Sequence, residues 1–323
     1  MALAPERIPL IGGSDVAAIL GRSPWGSAWE VWARIKLGVH NDSDSAPMRR
    51  GRRFERAIAD EVGVRLKESI DYQPAMFVHE NGWACASVDG FIGTDGVLEI
   101  KIPGGDQRDK WGADGTALPA FQYDEAVVPP HYALQAYWYM HLTGRAYTDF
   151  AVAFTSFRDG LDDPIIIRLY ADPDAQAAIF EAVTAWRDRY IVGDEEPALD
   201  GSDACRDYLT GKFPGAAEKV ERPASEGELS TMLLHADLGR QIKELEAQRD
   251  ALGNRLRESI GNDYALTADG VKATLSLASE TRRVAGLGDI AKKRPDLADA
   301  LEAAGLINTT ISRTLRVVRK ESK

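Results

Sequence analysis

A β-hairpin pattern in the first third of the chain constrains its fold more than any other feature. Two short β-prone runs, residues 87–92 and 97–102, flank the Gly/Asp turn 93–96, which is the pattern of a hairpin. Side chains alternate across a strand, so Glu99 and Lys101 share one face while their apolar neighbours point into a core. The sequence therefore predicts a strand that presents an acid and a lysine side by side.

An acid and a lysine on an inward-leaning strand are costly to bury, because a charge removed from water has to be paired or has to hold an ion. Asp89, in the first arm of the hairpin, brings a second carboxylate to the same place. We expect Asp89, Glu99 and the Ile100 carbonyl to bind a divalent metal ion, with Lys101 beside an attacking water. Such a site indicates hydrolysis of a phosphodiester bond.

The spacing of these residues resembles a known signature. Asp89, nine further residues and then Glu-x-Lys at 99–101 resemble the motif of the PD-(D/E)xK nucleases. The same spacing also occurs by chance, and a solvated hairpin with a surface Glu–Lys pair is the alternative interpretation. The flanking chain has to decide between the two.

The composition is that of an ordinary soluble globular protein. A chain of 323 residues that is 44% hydrophobic can form one large domain and a smaller one. No apolar run approaches eighteen residues and residues 1–11 lack the features of a signal peptide, so we expect a cytoplasmic protein without a membrane partner. Cys85 and Cys205 form no C-x-x-C pair, which argues against an iron–sulfur cluster or a zinc knuckle. The net charge of −11 argues against a nonspecific nucleic-acid-binding coat but allows a basic groove.

A glycine turn opens the first predicted helix. Ser14 follows Gly12 and Gly13, and the helix that it would cap ends at Gly21. Backbone N–H groups at such a helix start can hold a phosphate, with the Ser14 hydroxyl as a further donor. A plain helix cap is the alternative.

An arginine cluster begins the next amphipathic helix. Its members are Arg49, Arg50, Arg52, Arg53 and Arg56. They predict phosphate contacts, with a solvated helix face as the alternative. Glu55 shares a face with Ile58 and Val62, so we expect it to point inward as a third carboxylate of the site.

The middle of the chain completes the predicted core. Residues 106–128 lack periodicity and predict a loop. Residues 129–144 predict a helix that starts with proline and ends with glycine. Tyr132, Gln135 and Tyr139 form a polar-aromatic stripe on that helix, for which packing at the edge of the core is the alternative to binding.

Two more strands and a helix should close the core. Residues 147–154 and 165–170 predict strands joined by a turn at 158–160, and residues 175–192 predict a helix. We therefore expect a core domain over residues 1–193.

The rest of the chain predicts a connector and an extension. Residues 194–228 read as a connector partly docked on the core through Tyr208, Leu209 and Phe213. The extension, residues 229–323, starts with one long helix over 229–260 whose leucines lie near heptad spacing. Its tail predicts structure at 264–277, a helical patch at 290–304 and a basic strand at 309–319.

Five motifs together resemble the YqaJ-like viral recombinase family, or lambda-exonuclease family, of PD-(D/E)xK nucleases. They occur in the family order: Gly-Gly-Ser-Asp at 12–15, Arg-Gly-x-x-x-Glu at 50–55, Ser-x-Asp-Gly at 87–90, Glu-Ile-Lys at 99–101 and Pro-x-x-Tyr-x-x-Gln at 129–135. Each motif is weak alone, and the order makes the set specific.

The resemblance implies a fold and a set of site residues. The implied fold is α/β, with a restriction-endonuclease-like core in which helices flank a mixed β-sheet, and with a C-terminal helical plus small β extension. The implied site holds Mg²⁺, for which Mn²⁺ can substitute. Its catalytic residues are Glu55, Asp89, Glu99, Lys101 and Gln135, its metal ligands are Asp89, Glu99, Ile100 and Glu55, and its DNA contacts are Ser14, Arg49, Arg50, Arg52, Arg53 and Tyr132.

The resemblance also implies a function. Members resect linear double-stranded DNA, 5′ to 3′, for phage-type recombination by single-strand annealing. The implied partners are DNA ends, a single-strand annealing protein and further copies of the chain in a trimer. A sequence- or structure-specific endonuclease on the same fold is one alternative, disfavoured by the order of the outer motifs. A non-catalytic DNA-end-binding protein is the other, disfavoured because all the acids are present.

Overall fold

The computed structural model describes residues 9–39, 46–156, 160–213, 215, 221–268 and 271–275, together with positions 294, 296, 297 and 300. The chain divides into two compact units, Met1–Gly211 and Lys212–Lys323.

The described chain contains both helices and strands. The α-helices of the described chain are α1 (Gly13–Ile19), α2 (Ala28–Leu37), α3 (Ala46–Leu66), α4 (Pro130–Thr143), α5 (Pro173–Arg187), α6 (Asp203–Lys212) and α7 (Glu226–Ile260). The strands are β1 (Ile70–Tyr72), β2 (Phe77–Val78), β3 (Cys85–Ala86), β4 (Gly90–Ile92), β5 (Gly96–Lys101), β6 (Ala117–Leu118), β7 (Tyr147–Val152), β8 (Thr155–Ser156), β9 (Gly160–Leu161), β10 (Ile165–Tyr170), β11 (Ala265–Ala268) and β12 (Val271–Thr274).

A six-stranded mixed sheet forms the centre of the first unit, in the order β1-β4-β5-β7-β10-β6. β4 and β5 pair antiparallel with Phe91 opposite Val97, which confirms the predicted hairpin. β5 pairs with β7 in parallel, so the sheet is mixed and helices cover it. The predicted α/β class is therefore confirmed. β4 begins at Gly90, and Asp89 stands immediately before it.

The two faces of the sheet pack against different helices. Leu98 and Ile100 join a buried cluster with Ile58 and Val62 of α3, while Val97 joins the larger cluster that contains α4. This alternation confirms the predicted period of two, and it puts Glu99 and Lys101 on the face toward α4.

Gly13 lets α1 approach α4 closely. A Cβ atom built on Gly13 would lie 2.6 Å from Cε1 of Tyr139 and 2.8 Å from Cγ of Gln135, closer than packed carbon atoms come. The glycine is therefore needed for helix packing, and the first and last motifs of the family pattern meet at this contact.

Ser14 does not cap α1, so that prediction was wrong. The cap residue is Gly12, whose N–H donates to the Asp15 carboxylate at 2.8 Å. Asp15 also pairs with the buried Arg34 of α2 at 2.9 Å. An acid one turn inside the helix thus does the capping, and Ser14 lies exposed in the first turn.

Two segments differ from the secondary structure that the sequence predicted. The expected loop at 106–128 includes most of a 3₁₀-helix, Gly105–Lys110, and the strand β6. The predicted helix at 175–192 is α5 followed by a π-helix, Asp188–Val192.

The connector contains α6, which packs through the fully buried Cys205. Tyr208 and Leu209 pack against the same cluster, as predicted. Phe213 is 54% exposed and lies just beyond the end of α6, and its docking stays a prediction. The predicted turn residues 158 and 159 and the basic strand at 309–319 lie outside the described residues, as does most of the patch at 290–304.

The second unit contains the long helix predicted from the leucine spacing. α7 begins with a capping box in which the Ser225 and Glu228 side chains each accept from the other's backbone N–H. Its leucine stripe is exposed, for example at Leu245 with 63%. β11 and β12 form an antiparallel hairpin after it. Within the described ranges, none of the helices combines the length and apolar composition that a membrane span requires.

We expect Gly13→Ala to destabilise the first unit by about 1–3 kcal/mol, because its methyl group has to displace Tyr139 or Gln135. Urea unfolding of the full chain measures this change. Gly211→Ala is the control, since Gly211 lies in α6 with open space around its Cα, and a helical alanine there should be neutral or slightly stabilising. Equal stability of Gly13→Ala and the wild type would contradict the packing role.

Candidate active site

The centre of the candidate site is a buried ion pair at the end of β5. The Glu99 residue is only 3% exposed, and the Lys101 Nζ donates to its Oε1 at 2.5 Å. The two side chains meet because residues two apart on a strand lie on the same face.

Asp89 is tied to the same strand by a backbone contact. The N–H of Ile100 donates to the Asp89 Oδ2 at 2.7 Å. Since Ile100 lies between Glu99 and Lys101, this bond holds the Asp89 carboxylate beside the ion pair. The structure thus brings together the Asp and the Glu-x-Lys of the sequence motif.

Burial dominates the electrostatics of these groups. It raises the pKa of Glu99 to about 7, against the opposing effect of the Lys101 ammonium and with a further rise from the Asp89 carboxylate. Burial likewise raises the pKa of Asp89, and Lys101 opposes it. For Lys101 burial works toward a lower pKa, but the Glu99 and Asp89 carboxylates outweigh it and raise the pKa above its ordinary value. Lys101 therefore stays charged beside two acids whose pKa values are raised.

Glu55 of α3 lies within electrostatic range of this group. Its pKa is raised, first by burial and then by the Asp89 carboxylate, while Arg52 and Lys101 oppose the rise. The Gln73 side chain forms a hydrogen bond with the Glu55 carboxylate. The inward orientation expected for Glu55 is consistent with these neighbours, and its part in metal binding stays a prediction.

The donor set fits a hard divalent cation. The Glu99 Oε2 is buried and has no hydrogen-bond partner within the described part of the chain, which leaves one carboxylate oxygen for an ion. In those residues, no three or more His, Cys, Asp or Glu side chains converge on one point. Asp89, Glu99 and the Ile100 carbonyl would supply two carboxylates and one carbonyl to such an ion, and magnesium commonly keeps water or substrate oxygens as its other ligands.

The polar-aromatic stripe of α4 borders the site. The Tyr132 ring centroid lies 4.6 Å from the Lys101 Nζ, and the ring stacks on Trp111 at 5.4 Å. Gln135 donates to the Tyr139 hydroxyl at 2.9 Å and touches α1 rather than the acids. Tyr132 is therefore at the site, and Gln135 lies one helical turn away.

The arginine cluster follows the first turns of α3. Arg52 and Arg53 are exposed, and Arg50 is partly buried. Arg56 pairs with Asp60 at 3.0 Å, so its charge is partly used within the helix. Arg52 also lowers the pKa of Glu55, so this member of the cluster lies within electrostatic range of that acid.

Sequence reasoning missed other residues around the site. Gln73 has a left-handed backbone, with φ of +50°, and its N–H donates to the Asp89 carbonyl at 2.9 Å. His131 lies beside Tyr132 with a ring separation of 4.1 Å. Its pKa is lowered to about 4 by burial and then by Lys101 and Lys110. For Gln73 no local signal exists, while His131 could have been noticed as the neighbour of Tyr132.

A mixed sheet whose central strand carries Glu-x-Lys beside an Asp is the arrangement of a PD-(D/E)xK nuclease. Residues 5–146 match the family model of the YqaJ-like viral recombinase domain. For these residues the match confirms the resemblance recognised from the five motifs. The prediction of an enzyme that cleaves DNA is confirmed with it.

Several known proteins resemble the chain at low sequence identity. The uncharacterized protein YqaJ of Bacillus subtilis strain 168 is 25% identical over 259 residues, covering 79% of this chain and 76% of that protein. The alkaline exonuclease LHK-Exo of Laribacter hongkongensis is 20% identical, with a TM-score of 0.46 over 64% of this chain and 94% of that one. A putative exonuclease of Eubacterium rectale is 16% identical, with a TM-score of 0.45 over 71% and 98%.

The raised pKa of Glu99 predicts that the free energy of unfolding depends on pH when a metal chelator is present. Between its ordinary value of 4.5 and about 7, the folded chain binds more protons at Glu99 than the unfolded chain. The free energy of unfolding therefore falls as pH rises through this window, by about 3.5 kcal/mol at most, since one pKa unit corresponds to about 1.4 kcal/mol.

Urea unfolding of the wild type and of Glu99→Gln at pH 5 and pH 8 measures this effect. The variant has no carboxyl group to titrate, so the wild type should lose more stability than the variant over this range. Parallel pH dependence in the two proteins would contradict the assignment of the raised pKa to Glu99.

Proposed function

We propose that this protein is a magnesium-dependent exonuclease that resects linear double-stranded DNA from its 5′ ends. The observation that carries the proposal is the buried Glu99–Lys101 pair with Asp89 beside it, on the central strand of a recombinase-family domain. Manganese should substitute for magnesium, because the same oxygen set suits both ions.

Asp89, Glu99 and the Ile100 carbonyl would hold the cation, with Glu55 as a further carboxylate. When bound, the cation supplies Lewis-acid activation of water and neutralisation of charge on the phosphate. Ionised Asp89 and Glu99 are needed to hold it, so binding has to compete with the protons that burial favours.

Lys101 has two roles in this proposal. Its ammonium, held at 2.5 Å from Glu99, orients the attacking water through a hydrogen bond. It also stabilises the negative charge that builds up on the phosphate oxygens. Its raised pKa keeps it charged at neutral pH, as this task requires.

Substrate contacts would lie around this centre. The arginines of α3 and the exposed Ser14 would contact backbone phosphates, with Tyr132 beside the scissile one. Gln135 would act by orienting the α4 stripe, since it touches Tyr139 and α1 rather than the acids. The family resemblance further supports a role in recombination by single-strand annealing, with an annealing protein as partner and a homo-oligomer, a trimer, as the working assembly.

We expect Asp89→Asn and Glu99→Gln to abolish hydrolysis of an end-labelled linear duplex, because each removes a ligand charge. Lys101→Ala should lose about a hundredfold in single-turnover rate. DNA binding should survive in all three. Asp95→Asn is the matched control, since it removes an exposed carboxylate from the turn of the same hairpin.

Wild-type turnover in either acid variant would refute the assignment. A covalently closed circle tests the exonuclease class, because only an endonuclease cuts it. Comparison of 5′-phosphate and 5′-hydroxyl ends, labelled on either strand, tests the polarity. A wild type that binds DNA ends but cleaves nothing would favour a non-catalytic end-binding protein.

Neutralising two arginines tests the phosphate contacts. Arg52→Gln with Arg53→Gln should weaken DNA binding and flatten its salt dependence by about 0.9 units of logarithmic slope per lost contact. Arg189→Gln with Arg206→Gln is the control, because it removes the same charge from exposed helical positions elsewhere. Equal salt slopes in both double variants would mean that the cluster is a solvated helix face without phosphate contacts.

A further inference from the structure

Trp25 is unusually exposed for a tryptophan that lies next to a site. Its residue is 71% exposed, although burial of an indole is strongly favourable. It lies in the turn between α1 and α2, where the Ser23 hydroxyl oxygen accepts from the N–H groups of Trp25 and Gly26 at 3.2 Å each. The turn therefore holds the indole outward in a defined position.

Aromatic contacts connect this indole to the catalytic lysine. Trp25 meets His131 edge to face, with ring centroids 4.7 Å apart and an interplanar angle of 86°. Its centroid is also 5.8 Å from that of Tyr132, whose ring centroid lies 4.6 Å from the Lys101 Nζ. The indole and the ammonium are thus about 10 Å apart or less, which corresponds to about three base steps of a duplex strand.

We propose that Trp25, supported edge-on by His131, is a platform on which a nucleobase within about three nucleotides of the cut bond stacks. This proposal rests on the proposed nuclease function and adds a base-binding position to it. An indole face accepts every base, because each base has a π-face. A contact of this kind suits an enzyme that has to act at every step of a strand regardless of sequence.

The stacking contact should differ in kind from the phosphate contacts. Trp25 is uncharged, and His131 beneath it is neutral at pH 7 because its pKa is about 4. Loss of the platform therefore leaves the number of counterions released on DNA binding unchanged. Loss of Trp25 should therefore lower the affinity and leave the salt slope unchanged, whereas loss of the arginines should lower both.

The test measures binding of a DNA end by the full chain in a chelator, where no cleavage occurs. Trp25→Ala should weaken binding about five- to hundredfold, the scale of one lost base–aromatic stack, with an unchanged salt slope. Trp25→Phe should keep most of the affinity. Phe121→Ala is the control, because Phe121 is a similarly exposed aromatic residue, at 66%, that lies far from Lys101. Its N–H donates to Asp172, which follows the end of β10 that is remote from Lys101.

An abasic nucleotide moved along the terminal positions identifies the stacked base. The wild type should lose affinity at one or two positions near the end, and Trp25→Ala should show no loss at those positions. Wild-type affinity in Trp25→Ala, or the same abasic profile in both proteins, would overturn the proposal. A flat abasic profile in the wild type would be sufficient to overturn the proposal, even if the alanine variant did not fold.

The same experiment separates this proposal from the nuclease function. Wild-type digestion of linear DNA with magnesium, together with a flat abasic profile, would leave the nuclease standing and remove the platform. A profile that depends on Trp25, in a protein that never cleaves, would do the opposite.

Discussion

The burial of Glu99 is the constraint on which the site depends. β5 lies between β4 and β7, and helices cover both of its faces, so water cannot solvate a carboxylate there. An isolated buried charge would cost several kcal/mol. Lys101 on the same face pairs with Glu99, and Asp89 is held beside this pair by the Ile100 N–H. Within the described part of the chain, the Glu99 Oε2 has no hydrogen-bond partner.

The hydrophobic clusters have to supply the stability that this site does not. Leu98 and Ile100 pack into one cluster and Val97 into the other, so each polar residue of β5 has buried apolar neighbours on the same strand. Burial of side chains of this size stabilises by about 1.5–3 kcal/mol each. The acids are thereby held close together at raised pKa, which is unfavourable for the free protein and favourable once a cation is bound.

The surroundings of the site show how packing reassigns residues that look functional. Ser14 reads as a helix cap beside two glycines, yet Asp15 caps the helix and Gly13 is needed for contact with α4. Gln135 reads as a site residue, and its observed partner is Tyr139. Gln73, with no motif of its own, contacts both Asp89 and Glu55.

The central hairpin, the face shared by Glu99 and Lys101, the main helices and the family resemblance could all be predicted from the sequence. These depend on alternation, helical periodicity, turn residues and motif order, all of which are local or ordered along the chain. Three features could not be predicted in this way: the Ile100 N–H donates to Asp89, β6 joins the sheet and Trp25 lies beside the site. Such contacts join distant parts of the chain, and they follow from how helices pack on the sheet, which no local pattern records.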